Sequence, residues 1–263
     1  MQAGLPAEIG VLGVYKYFQQ EYMIGTIVTT IAVTAAGLTA YGTLGRKSTL
    51  LAPSLWRGPA DRQSIALTFD DGPSESTAEI LTILQRHRIS ATFFQCGANV
   101  RRLPQVAREV CAAGHEIGNH TDTHPRLCFK SPRFIYGELL RAQETIAETT
   151  NMRPTLFRAP YGLRWYGLRR AQRLLGLTGV MWTAIGFDWV RPAEQVIGIL
   201  QPQAANGAIF CLHDGRETRI NPDISVTSKA LAALIPMLLD RGFHFESAGS
   251  MLRKMEKGAS END

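Results

Sequence analysis

Two adjacent carboxylates and a pair of histidines are the residues of this sequence best suited to hold a metal ion. Asp70 and Asp71 end the apolar run from Ile65 to Phe69, and a Gly-Pro turn follows them. Because neighbouring side chains of an extended backbone point apart, one carboxylate can bind a cation while the other faces water or substrate. His120 and His124 are four residues apart, a spacing that brings both imidazoles to one side of a helical turn. One Asp with two His predicts a divalent-metal site with open coordination positions.

Each of these motifs has a simpler explanation when it is taken alone. An Asp-Gly turn is commonly a solvated surface feature, and a single His more often packs in a core or at the surface. Asp122 lies between the histidines and could be a further ligand, although its position points it away from their face. The combination of both motifs, each beside a predicted strand, favours the metal site.

Three further polar residues follow apolar stretches and could take part in acid–base chemistry. Arg158 could hold a nearby carboxylate ionised through bidentate hydrogen bonds, or it could form a surface salt bridge. Asp188 and His213 are each compatible with a strand end that has a satisfied polar group. Taken singly, these residues indicate little about function.

After Pro53, short apolar runs alternate with amphipathic stretches, as expected for strands joined by crossover helices. The predicted strands are Ile65 to Phe69, Thr92 to Cys96, Glu116 to Gly118, Thr155 to Arg158, Gly179 to Ala184, Ala208 to Leu212 and Phe243 to Phe245. The predicted helices are Thr77 to His87, Pro104 to Ala113, Pro132 to Thr150, Leu168 to Leu174, Ala193 to Ala205 and Thr227 to Arg241. Repeated βα units predict an α/β barrel or a doubly wound sheet, in which the carboxyl ends of the strands meet on one face.

The composition indicates one globular domain with an appendage and argues against nucleic-acid binding. The 263 residues are 45% hydrophobic and have a net charge of +5, which favours anionic surroundings only weakly. Basic residues are scattered, without the interleaved aromatics that single-strand binders use. The four cysteines form no CxxC pair, so we expect reduced packing residues, while a disulfide between two of them stays compatible with the sequence.

The segment from Tyr22 to Gly42 has no charged residue and is long enough to cross a bilayer as a helix. It predicts a membrane anchor, residues 22–42, within an N-terminal segment 1–52. A buried core helix is disfavoured because the stretch has no amphipathic period, and a cleaved signal peptide because Lys16 is the only basic residue before it. Arg46 and Lys47 follow the span, and the positive-inside bias would then place the large domain in the cytoplasm, although one span with few flanking charges settles little.

Five motifs follow one another along the chain: TFDDGP from Thr68, HTDTH from His120, RAPYG from Arg158, DW from Asp188 and CLHD from Cys211. In order and spacing they resemble the five motifs of the NodB-type polysaccharide deacetylases, carbohydrate esterase family 4. The similarity extends from Ser64 to Phe245, and the first two motifs are strongly specific. The resemblance implies a distorted (β/α)7 barrel, which we assign to residues 53–253. We expect the tail at 254–263 to be disordered.

The resemblance also implies how the metal and the base are held. Asp71, His120 and His124 would bind one divalent ion, zinc or alternatively cobalt, nickel or manganese. Asp70 would be the general base, and Arg158 would orient it.

The remaining motif residues would complete the reaction and the substrate pocket. The backbone amide of Tyr161 would stabilise the oxyanion, and His213, tuned by Asp188, would protonate the leaving amine. Substrate contacts would come from Pro160, Trp189 and Leu212, the last two walling the pocket for the acetyl methyl group. Amide hydrolysis needs a strengthened nucleophile, a charge sink and a proton for the departing nitrogen, and these residues would supply all three.

The expected function is hydrolysis of N-acetyl groups from an N-acetylhexosamine polymer or oligomer, such as peptidoglycan, a chitin-like glycan or another envelope glycan, with release of acetate. We expect a monomer attached to a membrane by its N-terminal helix, with an extracytoplasmic catalytic domain. Two alternatives are a related metal-dependent hydrolase of another C–N or ester bond and a membrane-tethered glycan-binding module without turnover. The presence of both Asp70 and His213 argues against the module, because binding alone requires neither a base nor an acid.

The fourth motif departs from the W-x-V-D-S-x-D-W of many family members. Ile185 and Gly186 replace polar residues of that pattern. Because Asp188 is retained, we expect activity to survive with altered substrate contacts.

Overall fold

The structure, a computed structural model, describes residues 7–252, so the predicted disordered tail at 254–263 lies outside the described residues. The strands are β1 (Ser54–Leu55), β2 (Ser64–Gly72), β3 (Thr92–Gln95), β4 (Glu116–Asn119), β5 (Leu156–Phe157), β6 (Thr178–Val180), β7 (Ala184–Ile185), β8 (Ala208–His213) and β9 (His244–Phe245). The α-helices are α1 (Ala7–Leu44), α2 (Thr77–His87), α3 (Gly97–Arg102), α4 (Pro104–Ala112), α5 (Pro132–Thr150), α6 (Leu168–Leu175), α7 (Ala193–Leu200) and α8 (Ser225–Asp240). Short 3-10 turns occur at Pro160–Gly162 and Gln201–Gln203.

The strands form one parallel sheet that curls into an incomplete barrel. Their order is β1-β6-β5-β4-β3-β2-β8-β7, and β9 also pairs with β2. Within residues 7–252 no pairing joins β1 to β7, so these two strands border the open side. The prediction of a distorted α/β barrel is therefore confirmed, and helices connect most of its strands.

The register of the long central strand β2 with its neighbours places the polar motif residues together at the carboxyl end of the barrel. Asp70 is in register with Phe94 of β3 and with His213 of β8. The register shifts between Asp70 and Gly72, and Asp71 has a φ of 73°, so the chain bulges at this residue. The bulge allows two consecutive carboxylates to contact different partners.

The predicted strand from Gly179 to Ala184 is two short strands, β6 and β7, because the chain changes neighbours between them. The amide of Met181 donates to the carbonyl of Leu55 at 2.6 Å, whereas the amide of Thr183 donates to the carbonyl of Ile209 at 2.8 Å. The sequence analysis also missed β1, which is too short to show an alternating pattern. These two differences account for the nine strands within residues 7–252, where seven were predicted.

A buried apolar core between the sheet and α2, α4, α7 and α8 holds the barrel together. The rings of Phe69 and Phe93 stack at 4.9 Å between neighbouring strands, and Leu84 of α2 is fully buried in the same core. Each such side chain contributes about 1.5–3 kcal/mol through burial. The core therefore fixes the strands whose carboxyl ends bear the motif residues.

The N-terminal helix α1 is longer than the predicted span and contains it. Gly13–Leu44 is long and apolar enough to cross a membrane, with a mean hydropathy of 1.7, and none of its most apolar stretch is buried against the protein. A core helix of a soluble domain would be mostly buried, so this explanation is wrong for α1.

Candidate active site

The ligand atoms of Asp71, His120 and His124 converge at the carboxyl ends of β2 and β4. Asp71 Oδ1 lies 3.0 Å from Nε2 of His124 and 3.3 Å from Nε2 of His120, and all three side chains are buried. The two histidines do not share a helical turn, so this detail of the sequence analysis is wrong. A loop with left-handed backbone at Thr121 (φ 69°) and His124 (φ 57°) connects them, because Asn119 Oδ1 accepts the Thr121 amide at 2.8 Å and turns the chain.

The chemistry of these three side chains fits a divalent cation. Nδ1 of His120 lies 2.8 Å from the carbonyl oxygen of Arg158, so this nitrogen bears the proton and Nε2 keeps its lone pair. Asp71 Oδ1 faces the two Nε2 atoms and has no hydrogen-bond partner among the described residues. Burial opposes ionisation of Asp71, but the adjacent side chains of His120 and His124 outweigh it and hold the pKa of Asp71 well below the usual range. An anionic oxygen and two imidazole nitrogens form a donor set of the kind that zinc prefers.

Asp70 has a separate environment, in which Arg158 fixes its orientation. Nη1 of the fully buried Arg158 donates to Asp70 Oδ1 and to Thr68 Oγ1, both at 2.7 Å. The other nitrogens of the guanidinium donate to the carbonyls of Val180 and Met181. The alternative of a surface salt bridge for Arg158 is therefore wrong.

The second oxygen of Asp70 points toward the candidate metal ligands. Oδ2 lies 4.0 Å from Nε2 of His120 and accepts a weak hydrogen bond from the buried thiol of Cys211 at 3.4 Å. Because Arg158 engages only Oδ1, Oδ2 is oriented to accept a proton from a molecule beside the ligand cluster.

His213 and Asp188 form the third functional unit, on the other side of Asp70. Nδ1 of His213 lies 2.8 Å from Asp188 Oδ1, and the backbone amide of His213 donates to Oδ2 at 2.9 Å. Thr227 Oγ1 also donates to Oδ2, so Asp188 is held by partners on two elements. Burial lowers the pKa of His213, but the charge and the hydrogen bond of Asp188 outweigh it and raise this pKa to about 9. His213 is thus a cation at neutral pH.

Tyr161 and Glu217 approach each other across the barrel mouth. Tyr161 has a φ of 56°, its ring lies 4.7 Å from that of His124, and its hydroxyl donates to Glu217 Oε1 at 2.8 Å. The backbone amide of Glu217 donates to Asp71 Oδ2 at 2.8 Å. The sequence analysis missed Glu217, since it lies in a loop, four residues after His213, without any pattern of its own.

One cavity of about 660 Å³ joins these groups, and its wall includes exposed aromatic and charged side chains. Trp189 is half-exposed in the wall, with its ring 4.8 Å from that of His213 and perpendicular to it. The lining consists of Asp70, Asp71, His120, His124, Tyr161, Gly162, Trp182, Ile185, Phe187, Trp189, His213, Arg216, Glu217, Arg219, Pro222 and Asp223. Ile185, one of the two departures from the family pattern, is therefore a wall residue.

Two residues expected to contact substrate lie behind this wall. Leu212 is fully buried and Pro160 is buried, and neither lines the cavity. Their substrate contacts stay predictions. Asp122 points away from the histidines, as expected, and forms ion pairs with Arg101 and Arg141 at 2.7 and 3.2 Å.

The chain is similar to known proteins over most of the barrel. A family model described as polysaccharide deacetylase matches residues 57–180. The chitooligosaccharide deacetylase of Bradyrhizobium sp. (strain ANU 289) is 37% identical over 190 residues, which cover 69% of this chain and 87% of the relative.

Solved structures give the same fold. The peptidoglycan N-acetylglucosamine deacetylase Bc1960 superposes with a TM-score of 0.72 at 28% identity, covering 76% of this chain and 92% of the other. BA3943 of Bacillus anthracis, described as a pseudoenzyme of carbohydrate esterase family 4, superposes with a TM-score of 0.69 at 26% identity, covering 76% and 69%. The fold alone is thus compatible with both active and inactive proteins, and only the site residues distinguish an enzyme from a pseudoenzyme.

Proposed function

The chain belongs to the polysaccharide deacetylase family, as its motifs predicted, and we propose that it is a metal-dependent carbohydrate N-deacetylase. The main support is that three units surround one cavity: the ligand cluster around Asp71, the Asp70–Arg158 pair and the His213–Asp188 pair. A glycan-binding module would need neither of the two pairs.

Asp71, His120 and His124 would hold one divalent ion, for which we propose zinc, with cobalt, nickel or manganese as alternatives. When bound, the ion would lower the pKa of water and polarise the acetyl carbonyl. Glu217 contributes by orienting Asp71 through its backbone amide, which leaves Oδ1 for the ion.

Asp70 would remove a proton from the attacking water through Oδ2. Arg158 holds Asp70 in one orientation through the bond to Oδ1, because three further hydrogen bonds, to Thr68, Val180 and Met181, fix the guanidinium inside the barrel. The backbone amide of Tyr161 would donate to the oxyanion, a type of contact whose loss costs about 100- to 1000-fold in other enzymes.

His213 would deliver the proton that the leaving amine needs. Its Nδ1 faces Asp188, so Nε2 is the nitrogen from which the proton would move. The ring of Trp189 covers one side of this imidazole and would exclude water from it. Pro160 and Leu212 would support the acetyl pocket from behind the wall.

For the substrate we propose an N-acetylhexosamine oligomer or polymer of the cell envelope. Related proteins are named for chitooligosaccharides and for the N-acetylglucosamine of peptidoglycan. We further propose that residues 53–253 form the catalytic domain of a monomer and that α1 anchors it in a membrane, with the catalytic domain extracytoplasmic. The exposed apolar surface of α1 supports the anchor.

The test is acetate release by the purified full-length protein in detergent, supplied in turn with zinc, cobalt, nickel and manganese. Chitooligosaccharides and peptidoglycan fragments serve as substrates, and the Asp70→Asn variant is the control. We expect acetate from at least one substrate and a loss of release in the variant. Glycan binding without acetate under every metal would overturn the proposal and favour the binding module.

A further inference from the structure

The end of α1 is attached directly to the loops that form the cavity. The buried guanidinium of Arg164 donates to the backbone carbonyls of Gly45 and Ser48, and the backbone amide of Arg164 donates to the carbonyl of Thr43 at 3.2 Å. Arg164 lies two residues after Gly162, which lines the cavity. Since consecutive Cα atoms are about 3.8 Å apart, the end of α1 is within about 10–15 Å of the cavity wall.

A second contact attaches the same helix end to an adjacent part of the cavity wall, where Trp182 lies against Gly162. Arg46 donates to the carbonyl of Thr183, and the preceding residue, Trp182, also lines the cavity. The helix end is therefore held by two loops at the carboxyl ends of β5 and β6. The residues that follow α1 are therefore in direct contact with the loops around the active site.

The sequence of α1 fixes where the membrane surface would lie. The uncharged stretch between Glu21 and Arg46 has about 24 residues, or about 36 Å of helix. A bilayer core is about 30 Å thick, so little of the stretch remains outside it. Arg46 and Lys47 would then lie among the lipid headgroups, at the level where α1 meets the cavity loops.

Aromatic residues lie next to Arg164, which holds this helix end, and we call the exposed Phe129 and Tyr166 together with the partly buried Trp165 the aromatic surface. Phe129 is 87% exposed and Tyr166 is 71% exposed, while the ring of Trp165 lies 4.7 Å from that of Phe129. Trp165 and Tyr166 directly follow Arg164, and Lys130 follows Phe129. Exposed aromatics beside basic residues are typical of segments that lie at the interface of a bilayer.

We infer that the bilayer crossed by α1 also contacts the aromatic surface, so that the cavity opens at the lipid headgroups and receives an N-acetylated sugar attached to a membrane lipid. This inference rests on the proposed deacetylase function and narrows its substrate. One water would break the acetyl C–N bond and give acetate and a lipid-linked amine. A sugar carried by a lipid is held at headgroup level, within reach of the cavity, whereas a polymer of the wall would have to approach the bilayer.

The position of the aromatic surface is tested with a fluorophore on a single cysteine in full-length protein reconstituted into nanodiscs. Residue 129 is labelled in one variant and residue 152 in the other, in a Cys111→Ser, Cys128→Ser background. Met152 is 59% exposed and precedes β5, at the opposite end of the barrel. We expect lipids with nitroxide headgroups to quench the label at 129 several-fold more than that at 152. Equal quenching would contradict the inference.

The substrate class is tested in the same nanodiscs by acetate release. A polyprenyl-diphosphate N-acetylglucosamine in the bilayer is compared with soluble chitotetraose at equal total concentration. Because the protein and the lipid-linked sugar lie in the same bilayer, the local concentration of this substrate at the cavity is higher. We therefore expect acetate release about tenfold or more faster from the lipid-linked sugar than from chitotetraose. The Phe129→Ser, Tyr166→Ser double variant should be several-fold slower on the lipid-linked sugar and unchanged on chitotetraose, and Met152→Ser should change neither.

The outcomes separate the two proposals. Equal rates on both substrates, with no effect of the double variant, would overturn the membrane-surface inference and leave the deacetylase function intact. Release from neither substrate with any of the metals would overturn the deacetylase function itself.

Discussion

The substitution Asp188→Asn should shift the alkaline limit of catalysis, because Asp188 keeps His213 protonated. The two residues contact each other at 2.8 Å, and the interaction raises the pKa of His213 to about 9 against the effect of burial. Asparagine has nearly the same shape but no charge. The pKa of His213 should then fall to its ordinary value of about 6.5 or below.

The size of the effect follows from the protonated fraction of His213. At pH 8 an imidazole with a pKa of about 9 is about 90% protonated, and one with a pKa of about 6.5 is about 3% protonated. The variant should lose about 30-fold in kcat/KM at pH 8 from this cause alone, whereas at pH 6 the loss should be less than about twofold. Misorientation of His213 would add a loss that is the same at both pH values.

The assay is acetate release under subsaturating substrate from pH 5.5 to 9.5, with one fixed zinc concentration. We expect kcat/KM of the parent protein to fall above about pH 9, and that of Asp188→Asn to fall above about pH 6.5 or lower. His213→Ala should be slow throughout and should lack this alkaline limb. If Asp188→Asn lowered the rate by one constant factor at every pH, the assignment of His213 as an acid tuned by Asp188 would be wrong.

Three further predictions concern the support of the site. Arg158→Met removes the partner of a buried carboxylate and should lower the free energy of unfolding by about 3–5 kcal/mol in urea titrations, while the exposed Arg133→Met should change it by less than about 0.5 kcal/mol. Gly186→Ser restores a polar residue of the family pattern but places a Cβ 2.7 Å from the Leu212 side chain, so it should lower the free energy of unfolding by about 1–3 kcal/mol in the same urea titrations. An unchanged urea midpoint would contradict this and show that Leu212 can move aside. Removal of metal with a chelator should abolish acetate release and lower the melting temperature, and zinc at 100 times its Kd should restore both, with about 2.7 kcal/mol of stabilisation. A chelated protein with full activity would exclude the proposed metal site.

Much of the fold was predictable, because the strands of the barrel are apolar runs bounded by turns. β2 and β8 were predicted within a few residues, since each contains a buried and mainly apolar run, Ile65 to Phe69 and Ala208 to Leu212. The break between β6 and β7 was not predictable, because it results from a change of hydrogen-bonding partner and leaves no trace in the hydrophobic pattern.

In the candidate site, too, local sequence motifs were predictable whereas tertiary contacts were not. Asp71, His120 and His124 could be named from their spacing and motifs, but the turn that joins the histidines depends on Asn119 and on left-handed backbone at Thr121. Glu217 could not have been found, since both of its contacts at the site are with residues more than 50 positions away. The sequence was compatible with Arg158 either in a surface salt bridge or beside a catalytic carboxylate. Its complete burial in the structure excludes the surface salt bridge.

The central claim is that the neighbouring carboxylates have different roles, Asp71 as a metal ligand and Asp70 as the general base. One comparison tests it most directly. Zinc content and acetate release are measured on the same preparations of the parent protein, Asp70→Asn and Asp71→Ala. Because Asp71 Oδ1 faces both imidazoles while Asp70 is held by Arg158, we expect Asp71→Ala to lose zinc and activity together. Asp70→Asn should keep zinc and lose only turnover. An Asp70→Asn protein without zinc, or an Asp71→Ala protein that keeps it, would contradict the account.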